Sequence, residues 1–162
     1  MLTTKDVTEE MRMSRIDNIA RFAEKREKDE AEKKAASLRN IEEYKAKIRE
    51  LKPRIDELLE VGNACLEHKI PLVGSGWGCH EGYDTHQFFS NGWSHLVGFV
   101  GGGNKITKVG KIGGGACDYN LITDGETIDV SGDIEYVLKS FVEGFDTFEK
   151  EFYAYVDTVT GK

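Results

Sequence analysis

The sequence predicts an α+β protein: a long N-terminal helix, a small glycine-rich antiparallel β meander, and a C-terminal amphipathic helix packed on the sheet or on the N-terminal helix. Three observations predict it. Between Lys5 and Lys69 there is no glycine except Gly62 and no proline except Pro53. Fourteen of the 18 glycines then fall between Gly74 and Gly125. Finally, Ile134, Leu138, Phe141, Phe145, Phe148, Phe152, Tyr155 and Val159 recur at alternating spacings of 4 and 3.

The first stretch is rich in Glu, Lys, Arg, Ala, Leu and Ile, a helix-forming composition. Ile16, Ile19, Ala20, Phe22 and Ala23 make a short apolar patch, after which Glu24 to Lys34 offers only Ala31. That charged stretch suits a solvated face, with Glu24 and Lys28, Lys25 and Asp29, and Glu30 and Lys34 spaced for i,i+4 support. Ile41, Tyr44, Ile48, Leu51, Ile55 and Leu58 then return at spacings of 3 and 4 as a continuous seam. Pro53 interrupts the chain without disturbing the apolar phase, so two helical segments are expected, near 5–51 and 53–68, with Pro53 in a first turn. At about 1.5 Å per residue the first would approach roughly 70 Å, longer than a domain of this size is wide; it must protrude, fold back or pair with another chain. Residues 1–69 are therefore read as a helical arm, coiled-coil-like in its second half, and 70–162 as the meander with its helix.

Within the glycine-rich part, strands are expected near Ser94–Val100, Lys105–Lys111, Tyr119–Thr123 and Glu126–Val130. Asp124-Gly125 signals a two-residue hairpin of type I′, which needs positive φ at both central positions. Residues 74–93 read as irregular, with a further short strand around Gln87–Phe89. Ser131 or Asp133 is placed to cap the last helix, and the phenylalanine seam that follows is the clearest periodicity in the chain.

Charge divides unevenly. Residues 1–70 carry 16 Lys plus Arg against 16 Asp plus Glu, and residues 71–162 carry 6 against 13, so the formal charge of -7 arises in the second part. No arginine follows Arg54. An acidic, arginine-free part makes a poor phosphate binder and suits a basic protein surface instead, so direct nucleic-acid binding is not expected. No window is apolar enough for a membrane span, and the N-terminus has neither a signal-peptide core nor a glycine at position two; the cytoplasm is the expected compartment. Cys65, Cys79 and Cys117 are an odd set without paired spacing and read as reduced thiols.

The types needed for chemistry gather in residues 74–95. Cys79, His80, Glu81, Asp84, His86 and His95, with Cys117, could supply zinc ligands, yet no C-x2-C or H-E-x-x-H spacing occurs. Neither metal nor cofactor is expected. A thiol nucleophile would pair Cys79 or Cys117 with His80, His86 or His95, on types alone. Gly92-Trp93-Ser94-His95-Leu96 lacks the second glycine of a nucleophile elbow, and the GGG runs lack the P-loop lysine. Trp77, His80, Tyr83, His86, Trp93 and His95 could instead line a small-ligand pocket with aromatic walls and a few polar groups.

The segments KIRELKPRIDELLEVGNACLEHKIPL, EGYDTHQFFSNGWSHLVGFV and FYAYVD resemble small accessory proteins encoded on phages and integrative mobile elements of gut Firmicutes, over about Ser14 to Val159. The resemblance implies a genetic context, in which small acidic proteins often block host immune nucleases; it implies no residue roles. The leading expectation is thus a non-enzymatic interaction protein, an anti-CRISPR-like inhibitor of a host-defence nuclease. Asp118, Asp124, Glu126, Asp129, Asp133 and Glu135 would form its acidic surface, its partner would be a nucleic-acid-handling host effector, and the helices would make it a homodimer. The alternatives are a nucleotide-signal binding module built on the 74–95 pocket and, third, a Cys or metal hydrolase.

Overall fold

The computed structural model describes residues 4–70, 72, 77–80, 83–88, 96–101, 105–112 and 119–161. The elements run α1 (Thr4–Glu50), α2 (Lys52–Glu67), β1 (Trp77–His80), β2 (Tyr83–Phe88), β3 (Leu96–Gly101), β4 (Lys105–Ile112), β5 (Tyr119–Thr123), β6 (Ile128–Val130) and α3 (Ile134–Val159). The expected α+β architecture is present. Among the described residues six strands form one sheet in the order β1-β2-β3-β4-β5-β6, every neighbour antiparallel, which is a meander.

Two compact units divide the chain between Asn40 and Ile41. The Ile41–Leu58 seam belongs to the same core as the sheet. Taken by itself, the first unit is helical from Thr4 onward, and its large apolar side chains Met11, Met13, Ile16, Ile19, Phe22 and Leu38 are all exposed.

In the second unit, α1 passes into α2 through Leu51, whose φ of -76° and ψ of -8° remain helical. Pro53 falls in the first turn of α2, where a missing N–H breaks no intrahelical bond. Ile48, Ile55 and Leu58 are fully buried, as the seam predicts. The other end of α2 closes with Ile70 N–H donating to the Cys65 carbonyl at 2.8 Å, across Lys69 at a φ of 58°. That is a Schellman-type stop with a lysine in the left-handed position that glycine usually takes.

Core residues on the sheet follow its register. Leu96, Lys111, Leu121 and Val130 form one row across β3 to β6, and Gly98, Val109, Thr123 and Ile128 the next. Leu96, Val109 and Leu121 are completely buried, and Lys111 takes its place in the first row at 9% exposure. Both α2 and α3 pack on the sheet. From α3 the core receives Phe141, Phe145, Phe148 and Phe152, each with no exposed surface, while Ile134 and Val159 at the ends of the stripe are exposed. Asp133, rather than Ser131, caps α3, its carboxylate accepting the Tyr136 N–H at 3.4 Å.

Three details depart from the expected strands. Trp77–Phe88 is a paired β1–β2 hairpin rather than an irregular stretch, since backbone pairing holds it without the apolar alternation that marks a strand in sequence. The last strand begins at Ile128, not Glu126. The Asp124-Gly125 turn is not type I′, because only Gly125 of the two has positive φ, at 90°. Asp124 instead keeps an ordinary backbone and closes the loop with its side chain. A Cβ at Gly125 would also lie 2.7 Å from the Lys52 Cα, so this loop meets α2 where only glycine fits. Gly110 is similarly constrained: a Cβ there would run into the Leu121 carbonyl oxygen.

One polar side chain joins α2 to the sheet. Ile106 lies beyond the last β4–β5 pair, Val109 with Thr123. Asn63 fills the neighbouring strand's place, its Nδ2 donating to the Ile106 carbonyl and its Oδ1 accepting the Ile106 N–H, both at 2.7 Å.

Replacing Asn63 with Ala strands both backbone groups, and urea denaturation should show a loss of about 1–3 kcal/mol. Lys69→Gly should act in the opposite direction. Relief of the left-handed conformation, about 1–2 kcal/mol, exceeds glycine's added unfolded-state entropy of about 0.5–1 kcal/mol, so the urea midpoint should rise.

Candidate functional site

The four described members of the expected aromatic and histidine pocket lie on one hairpin. Trp77 pairs with His86, and His80 with Tyr83. Positions alternate between faces along a strand, so the two pairs occupy opposite faces of the sheet. Trp93 and His95 lie outside the described residues. Cys79 pairs with Asp84 in the same register, and Cys117 lies outside the described residues. Among the described residues no three His, Cys, Asp or Glu side chains come together to hold a metal ion. Cys65 is buried in the core, and burial pushes its thiol above the ordinary value, away from nucleophilic character.

The expected acidic surface has a more definite geometry. Asp118 lies outside the described residues, and the others occupy the β5–β6 loop, β6 and the start of α3. Asp124 is a structural acid. Its Oδ1 accepts the Thr127 N–H at 2.8 Å and the Glu126 N–H at 2.9 Å. The Thr127 amide, with that of Glu126, holds the Asp124 carboxyl below its ordinary range despite a counteracting desolvation. Beneath it Thr123 is fully buried and satisfied, donating from Oγ1 to the Thr127 carbonyl at 2.8 Å and accepting the Gly125 N–H at 2.9 Å. Asp133 is occupied by the α3 cap, and Glu135 stands half-buried in the first turn, where a carboxylate favours the helix dipole.

Glu126 and Asp129 remain as exposed carboxylates of this region. Asp129 is paired with Ile122, on the face opposite the Leu121–Val130 row. Lys52 borders the group, its Nζ 3.2 Å from the Asp56 Oδ1, and that hydrogen bond, with Glu126 and Asp124 nearby, raises its pKa. The result is an acidic ridge whose loop is braced by backbone hydrogen bonds and whose foot touches α2 through Gly125.

A second ionic cluster escaped the sequence reading. Arg54 reaches from α2 to α3, with Nε 3.0 Å from Glu149 Oε2, Nη2 2.7 Å from Glu149 Oε1, and Nη2 2.6 Å from Asp146 Oδ1. Its guanidinium carbon lies 5.1 Å from the centre of the Phe145 ring. A planar fork meets a carboxylate in two parallel bonds and covers an aromatic face at once, which an ammonium cannot do. These bonds, Glu149 foremost, raise the Arg54 pKa further. Next to this cluster the Tyr153 hydroxyl is buried without a partner among the described residues, and burial pushes its pKa up to about 12. The available signal was that Arg54 is the last arginine of the chain.

The Asp124 brace carries a pH dependence of defined sign. Its folded pKa is lowered, so it stabilises the fold above the unfolded value of about 4, and that contribution disappears as pH falls through the lower folded value. Asp124→Asn keeps an acceptor but no titration, so acid unfolding followed by circular dichroism should show a shallower loss of stability below about pH 4 than the parent. Comparison with known families, curated proteins and solved structures finds no match.

Proposed function

We propose that the protein is a non-enzymatic interaction protein of a mobile genetic element, an inhibitor that sets an acidic surface against the basic nucleic-acid channel of a host-defence nuclease. The observation that carries this reading is the braced ridge. Glu126 and Asp129 are exposed, while Asp124 and Asp133 spend their carboxylates on backbone N–H groups that hold the loop and the α3 start in place. Fixed charges lose little conformational freedom on docking, and complementary potentials raise the rate of encounter. The excess of 13 acidic over 6 basic residues after position 70 supports the same polarity of partner. The mobile-element context comes from the resemblance of the three quoted segments. In this reading the partner is a nucleic-acid-handling effector, and nucleic acid itself is excluded from the complex.

Tagged protein incubated with host lysate at about 0.15 M salt should recover such an effector, and Glu126→Lys with Asp129→Lys should slow association at least tenfold. Recovery of no nucleic-acid-handling protein, or equal binding by the charge-reversed variant, would remove the proposal.

A further inference from the structure

The first unit presents an apolar face that its own residues leave uncovered. At about 100° per residue, Ile16, Ile19 and Ala23 lie at the centre of that face, with Met13 and Ala20 along one margin and Phe22 with Arg15 along the other. Ile16 is 51% exposed, Ile19 67% and Phe22 66%. Charged positions continue the same face on both sides: Glu9 and Arg12 before it, Arg26 and Glu27 after it. Each end thus has one acid and one base.

We propose that residues 9–27 of α1 pair with the same segment of a second copy of this chain, antiparallel, with the twofold axis between Asp17 and Asn18. The charge layout selects this arrangement. Antiparallel pairing about that axis brings Ile16 against Ile19 of the second copy at the centre, and Met13 against Ala20 at one margin. Phe22 meets Arg15 at the other, where a guanidinium can cover the ring. Outside these contacts, Glu9 and Arg12 of one helix meet Arg26 and Glu27 of the other, so each end holds two carboxylates and two guanidinium groups. A parallel in-register pair would stack Glu9 on Glu9, Arg12 on Arg12 and Arg26 on Arg26, placing like charges together on the contacting face. Within the single helix, Glu9 and Arg12 form an exposed i,i+3 pair at 3.5 Å, and Arg26 lies 6.0 Å from the Phe22 ring centre. Such exposed contacts are weak and leave these groups available to a second helix.

This pairing does not depend on the nuclease-inhibitor reading, and failure of partner capture leaves it untouched. Sedimentation equilibrium of the full chain should give a concentration-dependent dimer mass. Ile19→Glu should weaken the dimer at least tenfold, as should Glu9→Arg, which sets three guanidinium groups against one carboxylate. Combining Glu9→Arg with Arg26→Glu should restore it, because the two positions face each other only in the antiparallel register. The substituted side chains are exposed, so far-UV circular dichroism should show the sheet and α3 unchanged. A monomer mass at all concentrations, a dimer indifferent to Ile19→Glu, or a double exchange that does not restore pairing would each overturn the proposal.

Discussion

The second unit depends on the burial of one helical face. Phe141, Phe145, Phe148 and Phe152 reach zero exposure together, and at roughly 1.5–3 kcal/mol per fully buried side chain they are a large share of the apolar driving force. No single helix can bury such a stripe alone. The sheet's inner rows through Leu96, Val109 and Leu121, together with Ile48, Ile55 and Leu58, complete the same cluster. The six-stranded meander follows from the same requirement, since sequential hairpins lay strands beside one another without any crossover to disturb the covered face.

Polar groups mark the margins of this core and fix its alignment. Asn63 bonds both backbone groups of Ile106, and Arg54 holds Asp146 and Glu149 while covering Phe145. Hydrophobic burial is indifferent to small slides of a helix over a sheet, whereas a two-bond amide and a forked guanidinium are satisfied in one register. The β5–β6 loop obeys a related rule. Thr123 and Asp124 satisfy the loop's backbone internally, Gly125 lets it approach Lys52, and the remaining acids are left facing outward.

That division also bears on function. Asp124 and Asp133, which have structural duties, flank the exposed Glu126 and Asp129, so the ridge combines a fixed backbone with outward charge. Cys65, by contrast, is buried in the core. The α1 face around Ile16 and Ile19 is a different kind of feature, apolar and bounded by compensating charges.

The sequence by itself determined the three helices, the antiparallel meander, the buried phenylalanine seam and the placement of Pro53 in a first turn. Each of these depends on periodicity or on a residue's own conformational limits, which are local properties. Tertiary structure alone decided the rest. That the Ile41–Leu58 seam shares one core with the sheet depends on partners distant in sequence. The Trp77–Phe88 hairpin shows no apolar alternation, so only its pairing reveals it. Arg54 and Asn63 read as ordinary polar positions until Glu149 and Ile106, more than 40 residues away, come within reach. For the acidic ridge, sequence supplied the residues, while three-dimensional hydrogen bonding separated Asp124 and Asp133, committed to the backbone, from Glu126 and Asp129, left exposed.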